Sequence, residues 1–204
     1  MSTFDTMENT LTREASRTKR LKAATYDAHE RLDQFIMKAN PFADREHYGR
    51  FLAMQFHFHH DLDGLFFDPD LDLLLPDLGG RRRIEMIGQD FADLGLELPS
   101  ARHATRFRKG ETVDLPEALG WLYVIEGSNL GAAFLLKYAA QLGLNENFGA
   151  RHLAGATEGR GLHWRTFTAA LDSIALTDEQ ERKAIVEAET AFEHVHTIAR
   201  EMFS

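Results

Sequence analysis

Between Ala118 and Leu142 the chain carries one long apolar stretch of helical period, with Gly127 and Gly131 four residues apart inside it. Glycine costs a helix interior about 1 kcal/mol relative to alanine, so a pair here marks a local purpose. Residues i and i+4 share a helix face. Glu126-Gly127-Ser128-Asn129-Leu130-Gly131-Ala132 therefore presents a stripe without side chains. Such a stripe has three uses: a close helix–helix crossing, a Gly/Ser kink, or a flat object lying against the backbone.

The same period governs nearly all of the chain. Leu21, Thr25, Ala28, Leu32, Phe35 and Ile36 recur at three- and four-residue steps and predict a first helix from about Arg13 to Met37, ended by Asn40-Pro41. Asp44 caps a second helix with Phe51, Met54, Phe58, Leu62 and Leu65 inward. Asp68-Pro69 opens a short helical piece, and Arg81 to Leu94 reads as another helix. Pro116 suits the first turn of the glycine-bearing helix. A helix from about Leu162 to Ser173 follows, and Thr177 with Gln180 forms a capping box for a last helix reaching Phe203. With no hairpin signal, the expectation is an all-α domain of roughly eight helices over 13–204, behind a flexible N-terminus over 1–12.

A chain of 204 residues with 44% hydrophobic residues can build one sizeable core. The absence of cysteine excludes disulfides, thiolate metal sites and cysteine nucleophiles. A net charge of −9 disfavours nucleic-acid binding. The basic run Thr12–Lys22, with Arg13, Arg17, Lys19, Arg20 and Lys22, reads as a solvated helix start. The longest apolar run, near Leu130–Leu136, falls short of the ~20 residues of a membrane span, and Met1–Thr10 lacks the apolar core of a signal peptide. A cytoplasmic protein that touches no membrane is expected.

Ten histidines invite metal hypotheses. His57 and Asp61, at i,i+4, have the spacing to share a metal, but a di-iron site needs two Glu-x-x-His motifs and only the Glu193–His196 pair is found. His57, His59 and His60 read as packing or surface residues, as do His47, His103, His152, His163, His194 and His196. His29 differs, because it shares a face with Thr25 and Leu32 and should point inward. Asp33, four residues on, is placed to accept its Nδ1–H, leaving Nε2 to bind a metal; the alternative is a core histidine satisfied by Asp33 alone. Lys22 lies two turns before His29 on the same face, about 10 Å away at 1.5 Å per residue. Tyr123 lies one turn before Gly127.

Two segments together carry a family resemblance. Arg20-Leu-Lys-Ala-Ala-Thr-x-x-x-His29-x-x-Leu-Asp33 is similar to the proximal-histidine helix of bacterial haem oxygenases of the iron-acquisition type known from Pseudomonas and Neisseria. Ala118-Leu-Gly-Trp-Leu-Tyr-Val-Ile-Glu-Gly-Ser-Asn-Leu-Gly-Ala-Ala-Phe-Leu-Leu-Lys137 resembles their distal helix. Asn145–Leu153 and Trp164-x-x-Phe167 look like the Pseudomonas branch, and the likeness spans about 15 to 204. Where the family often has a further glycine, this chain has Ala132, which should alter the distal pocket slightly.

The resemblance implies a haem (heme) lying between the first helix and a kinked distal helix, as both cofactor and substrate. His29 would be the axial iron ligand and Asp33 its hydrogen-bonded neighbour. Gly127, Ser128 and Gly131 would form the wall over the ring, and Lys22 and Tyr123 would hold propionate. It implies O2- and reductant-dependent cleavage to biliverdin, CO and ferrous iron, with electrons from a ferredoxin and its reductase or a similar donor. Arg102, Arg106, Arg108 and Lys109 either help dock that donor or are merely solvated. Lysine and tyrosine at positions 22 and 123 accompany IXα regiochemistry in the family; the branch opening another edge has lysines where this chain has Met37 and Tyr138, so mainly biliverdin IXα is expected. The rival reading is a non-catalytic haem carrier sharing His29. A thiaminase-like enzyme is disfavoured, because such enzymes rely on a cysteine.

Overall fold

The computed structural model describes residues 15–100 and 105–204. Among them are eight α-helices: α1 (Arg17–Ala24), α2 (Tyr26–Lys38), α3 (Arg45–Leu62), α4 (Pro69–Leu74), α5 (Ile84–Asp93), α6 (Leu115–Ala140), α7 (Arg160–Ser173) and α8 (Asp178–Phe203). Short 3-10 turns lie at Asp63–Phe67, Gly79–Arg81 and Arg151–Leu153, and the only β features among these residues are isolated bridges from Asn145. The all-α expectation holds. The expected flexible segment 1–12 lies outside the described residues, as does the expected helix start at Arg13.

Local chemistry sets the boundaries. Asp44 accepts from the His47 amide, Asp68 from the amides of Asp70 and Leu71, and Asp114 from that of Glu117. Thr177 and Gln180 close the capping box at the start of α8. The expected single first helix is instead two, because Thr25 leaves helical geometry at φ −89°, ψ 3°. Its Oγ1 donates to the Leu21 carbonyl at 2.8 Å, a back-bond that bends helices at Ser and Thr. Arg81 falls in a 3-10 turn ahead of α5, rather than opening that helix.

Helices α6 and α8 form the central pair. Gly120 makes their approach possible: a Cβ there would lie 2.5 Å from the Ala184 carbonyl oxygen. The close crossing considered for Gly127 and Gly131 therefore belongs to Gly120. A Cβ on Gly127 would meet only the Trp164 ring, at 3.8 Å, and one on Gly131 would meet nothing within 4 Å.

By length and mean hydropathy α6 qualifies as a membrane span, yet half of its apolar window is buried inside the fold, so it is the core helix. Every residue from Pro116 to Glu126, apart from the half-buried Glu117, is buried. Beyond Gly127 one side opens, and only Ala132 and Ala139 remain buried.

The basic N-terminal run is not uniformly solvated. Arg17 is 3% exposed and donates to the carbonyls of Leu171 and Ile174, while pairing with Glu181 at 2.8 Å. Burial of a guanidinium is tolerated only with partners of this kind, and they fasten α1 to the α7–α8 corner. Lys19 and Lys22 keep to the surface.

Candidate active site

The chain flanking α2 meets α6 at two places, one beyond each end of α2. At the α1–α2 elbow the Tyr123 hydroxyl meets the Thr25 side chain. The Thr25 proton is committed to Leu21, so its oxygen is left to accept from Tyr123. Burial raises the Tyr123 pKa and keeps the phenol neutral, and its ring packs on Trp164 with centroids 5.9 Å apart. Just past the end of α2, Phe42 stacks on Tyr138 of α6, centroids 5.6 Å apart.

These two contacts fix a register. The helices run in the same direction, so one turn past Thr25 and Tyr123 stand His29 and Gly127. The next turn brings Asp33 and Gly131. Between the two contacts the helices leave a slot. His29, Ser128, Gly131 and Phe134 are exposed along it, and Tyr26, Met37 and Leu130 add exposed apolar surface.

The expectation of a buried His29 bonded to Asp33 is not met. The His29 side chain is 54% exposed and its Nδ1 lies 3.7 Å from Asp33 Oδ2, beyond hydrogen-bond reach. The face it shares with Thr25 is covered at the elbow and again at Leu32, but His29 between them reaches solvent, so no internal partner is required. The ring edge rests on Phe192 of α8, 5.7 Å between centroids, which orients the imidazole without occupying its nitrogens.

Ser128 is exposed, but its hydroxyl turns back to the Ile125 carbonyl at 2.6 Å. The wall facing His29 thus presents backbone, two glycines and no hydroxyl donor. Ala132 is 3% exposed and belongs to the core, so its methyl group does not shape the slot as expected from the sequence. Lys22, one turn before Thr25, is exposed at the elbow end of the slot, the same end as Tyr123.

Behind the wall lies a buried polar group that sequence reasoning missed. Glu126 pairs with Arg81 at 2.7 Å, both side chains nearly inaccessible. Burial raises the Glu126 pKa against the pull of Arg81. His163 joins them, Nε2 3.6 Å from Glu126 Oε2 and Nδ1 2.9 Å from Glu158. Arg81, Glu158 and His163 come from turns and a helix start far apart in sequence, so no spacing signal connects them. The one available clue was a glutamate in the middle of an apolar helix.

Several of the other described histidines are held by packing or by carboxylate partners. His59 is fully enclosed and burial lowers its pKa to about 3, with His152 and Arg83 adding to the effect. His152 is held by Asp90 at 2.7 Å, and His194 by Asp61 at 2.8 Å. No group of three or more His, Cys, Asp or Glu among the described residues is placed to hold a metal ion, which removes the His57–Asp61 di-iron possibility. In the basic loop, Arg106 pairs with Glu117 and stacks over Trp121, and Lys109 lies over Phe67. Arg102 and His103 lie outside the described residues.

The residues fit a haem. Exposed apolar side chains of α2 and α6 lie near an accessible imidazole, and a Cβ added to Gly131 would meet nothing within 4 Å. The domain is all-helical and carries an imidazole accessible to a haem, as a haem-binding protein requires. A family model described as Heme oxygenase matches residues 89–201, more than half of the chain. The chain is 42% identical over 201 residues to Heme oxygenase PigA of Pseudomonas aeruginosa, covering 98% of this chain and all of that one. It superimposes on the NO- and CO-bound heme oxygenase of Neisseria meningitidis with a TM-score of 0.85 at 40% identity, covering 92% of each chain. The fold is shared with the heme oxygenase of Leptospira interrogans, TM-score 0.75 at 19% identity, over 91% of this chain and 99% of that one. The chain belongs to the heme oxygenase family, enzymes that degrade haem.

Proposed function

We propose that this protein cleaves haem to biliverdin, mainly the IXα isomer, with release of CO and ferrous iron. It takes O2 and electrons from an external donor such as a ferredoxin and its reductase. The observation that carries this reading is the accessible imidazole of His29, set by register against the Gly127–Gly131 backbone across an open slot. Bound haem supplies the redox iron and the ring that is cut.

The chain's own residues do the rest. His29 would hold the iron through an imidazole nitrogen, where a bound haem would supply O2 chemistry without the push toward O–O cleavage that a thiolate gives. Gly127 and Gly131 let the ring approach the backbone. Ser128, turned inward, offers no hydroxyl proton at the wall, so no side-chain acid there breaks the O–O bond prematurely. Lys22 at the elbow edge is positioned to pair with a propionate. Tyr123 supports that edge through Thr25, and rotation of a ring about its iron is set by where its carboxylates are held. A charge-assisted bond worth about 1.5–3 kcal/mol is enough to choose one rotation by tenfold or more.

The test is to add haemin to the purified protein and then ascorbate or a ferredoxin–reductase pair. Loss of the Soret band with growth of a biliverdin band supports the reading; a stable Soret band identifies a haem carrier. Chromatography of the product against the four isomer standards tests the regiochemistry, and a mainly β/δ mixture would overturn the roles given to Lys22 and Tyr123.

A further inference from the structure

The segment from Gly127 to Gly131 cannot be positioned by its own side chains. Two of its residues have none, the side chains of Ser128 and Asn129 bond within their own helix, and Leu130 is exposed. A wall whose front must stay bare is held by its neighbours, and the N-terminal part of α7 meets it at three points. Trp164 is the side chain that approaches Gly127, and His163 reaches Glu126. Arg160 makes the most direct contact: its Nη1 donates to the Asn129 carbonyl at 2.8 Å, midway between the two glycines, and its Nη2 donates to the Leu153 carbonyl.

The surroundings are shaped for this arginine. Gly159, at φ +93°, turns the chain into α7 and aims its first residue at α6. A Cβ on Gly155 would sit 3.3 Å from Arg160 Cγ, a tight contact that the stem would have to ease by a few tenths of an ångström. Lysine, with a single ammonium, cannot span both carbonyls in the fixed geometry of a guanidinium.

We propose that Arg160 is a positioning residue that sets the height of the Gly127–Gly131 wall above the haem, and through it how tightly a diatomic ligand is held at the iron. The inference rests on the placement of haem under Proposed function. It assigns Arg160 no contact with haem.

The experiment compares wild type with Arg160→Met, which keeps the stem and removes the donors, and Arg160→Lys. In the haem-free protein, amide exchange over residues 127–133 should quicken about tenfold in Arg160→Met and return partway in Arg160→Lys, with α8 unchanged. In the haem complex, CO dissociation from the ferrous form should shift at least about fivefold and kcat should fall with KM and haem affinity held, since small displacements at a reacting centre cost large factors. Wild-type exchange over 127–133, acceleration extending equally to α8, or an unaltered CO rate would each overturn the proposal. If wild-type protein fails to make biliverdin while the CO rate still responds to Arg160, the proposed activity falls and the clamp stands.

Discussion

His29 and Asp33 lie on one face of α2 with Nδ1 and Oδ2 3.7 Å apart, close enough to meet after a side-chain rotation and too far to be bonded. A metal-bound imidazole is more acidic at its second nitrogen and draws in an acceptor. Asp33→Asn should therefore lower haem affinity by about tenfold, less than loss of His29 itself, as measured by Soret titration. Unchanged affinity would show that Asp33 plays no part in holding the ring.

Gly120 and Gly131 share one helix and should respond in opposite ways to the same change. Alanine at 131 meets nothing and gains helix propensity, so stability should rise by up to about 1 kcal/mol in urea unfolding. Alanine at 120 drives a methyl into the α8 backbone and should cost about 1–3 kcal/mol. Leucine at 131 should keep the fold and block haem turnover, and a fully active Gly131→Leu enzyme would remove the haem from this face.

Arg17→Met leaves the carbonyls of Leu171 and Ile174 and the Glu181 carboxylate without their donor. A loss of about 3 kcal/mol is expected by denaturant titration, with haem affinity of the folded protein unchanged because the change lies behind α1. A loss below about 0.5 kcal/mol would place Arg17 among ordinary surface ion pairs.

Acid sensitivity should come early through His59. Its pKa falls to about 3 on folding, so the unfolded chain binds the extra proton between pH 6.5 and that value. Stability contributed by the neutral ring is present above pH 6.5 and lost as pH falls, at a limiting slope of about 1.4 kcal/mol per pH unit. Asp93, Asp172 and Glu181, whose pKa values are lowered by their partners, add their losses only at more acid pH. Replacing His59 with Gln should flatten the urea midpoint between pH 6.5 and 5, and an unaltered slope there would show that another group controls it.

The helical architecture was legible because it is written in local chemistry: apolar period, Asp44 and Thr177 as caps, and proline at helix starts. The site was partly legible for the same reason. His29 and Gly127 each sit in a recognisable helical segment, and the contact of Thr25 with Tyr123 one turn before them puts the two positions level. What failed was burial. A periodic face does not reveal that α2 is covered at Thr25 and bare at His29, because the difference depends on how far α6 stands away. Arg81, His163 and Arg160 were illegible because their partners are backbone carbonyls and a carboxylate brought together only by the fold. Arg17 was misread as solvated because charge in a basic run says nothing about backbone carbonyls and a carboxylate partner far along the chain.

The most direct test of the account is to place His29→Ala beside wild type, with His57→Ala and His60→Ala as controls, and record the Soret spectrum and biliverdin yield after adding haemin and an electron donor. The account predicts that His29→Ala loses the wild-type Soret signature and all turnover, that added imidazole returns the coordination spectrum, and that both controls behave as wild type. A His29→Ala protein with wild-type spectrum and biliverdin yield, alongside loss of both in either control, would contradict it.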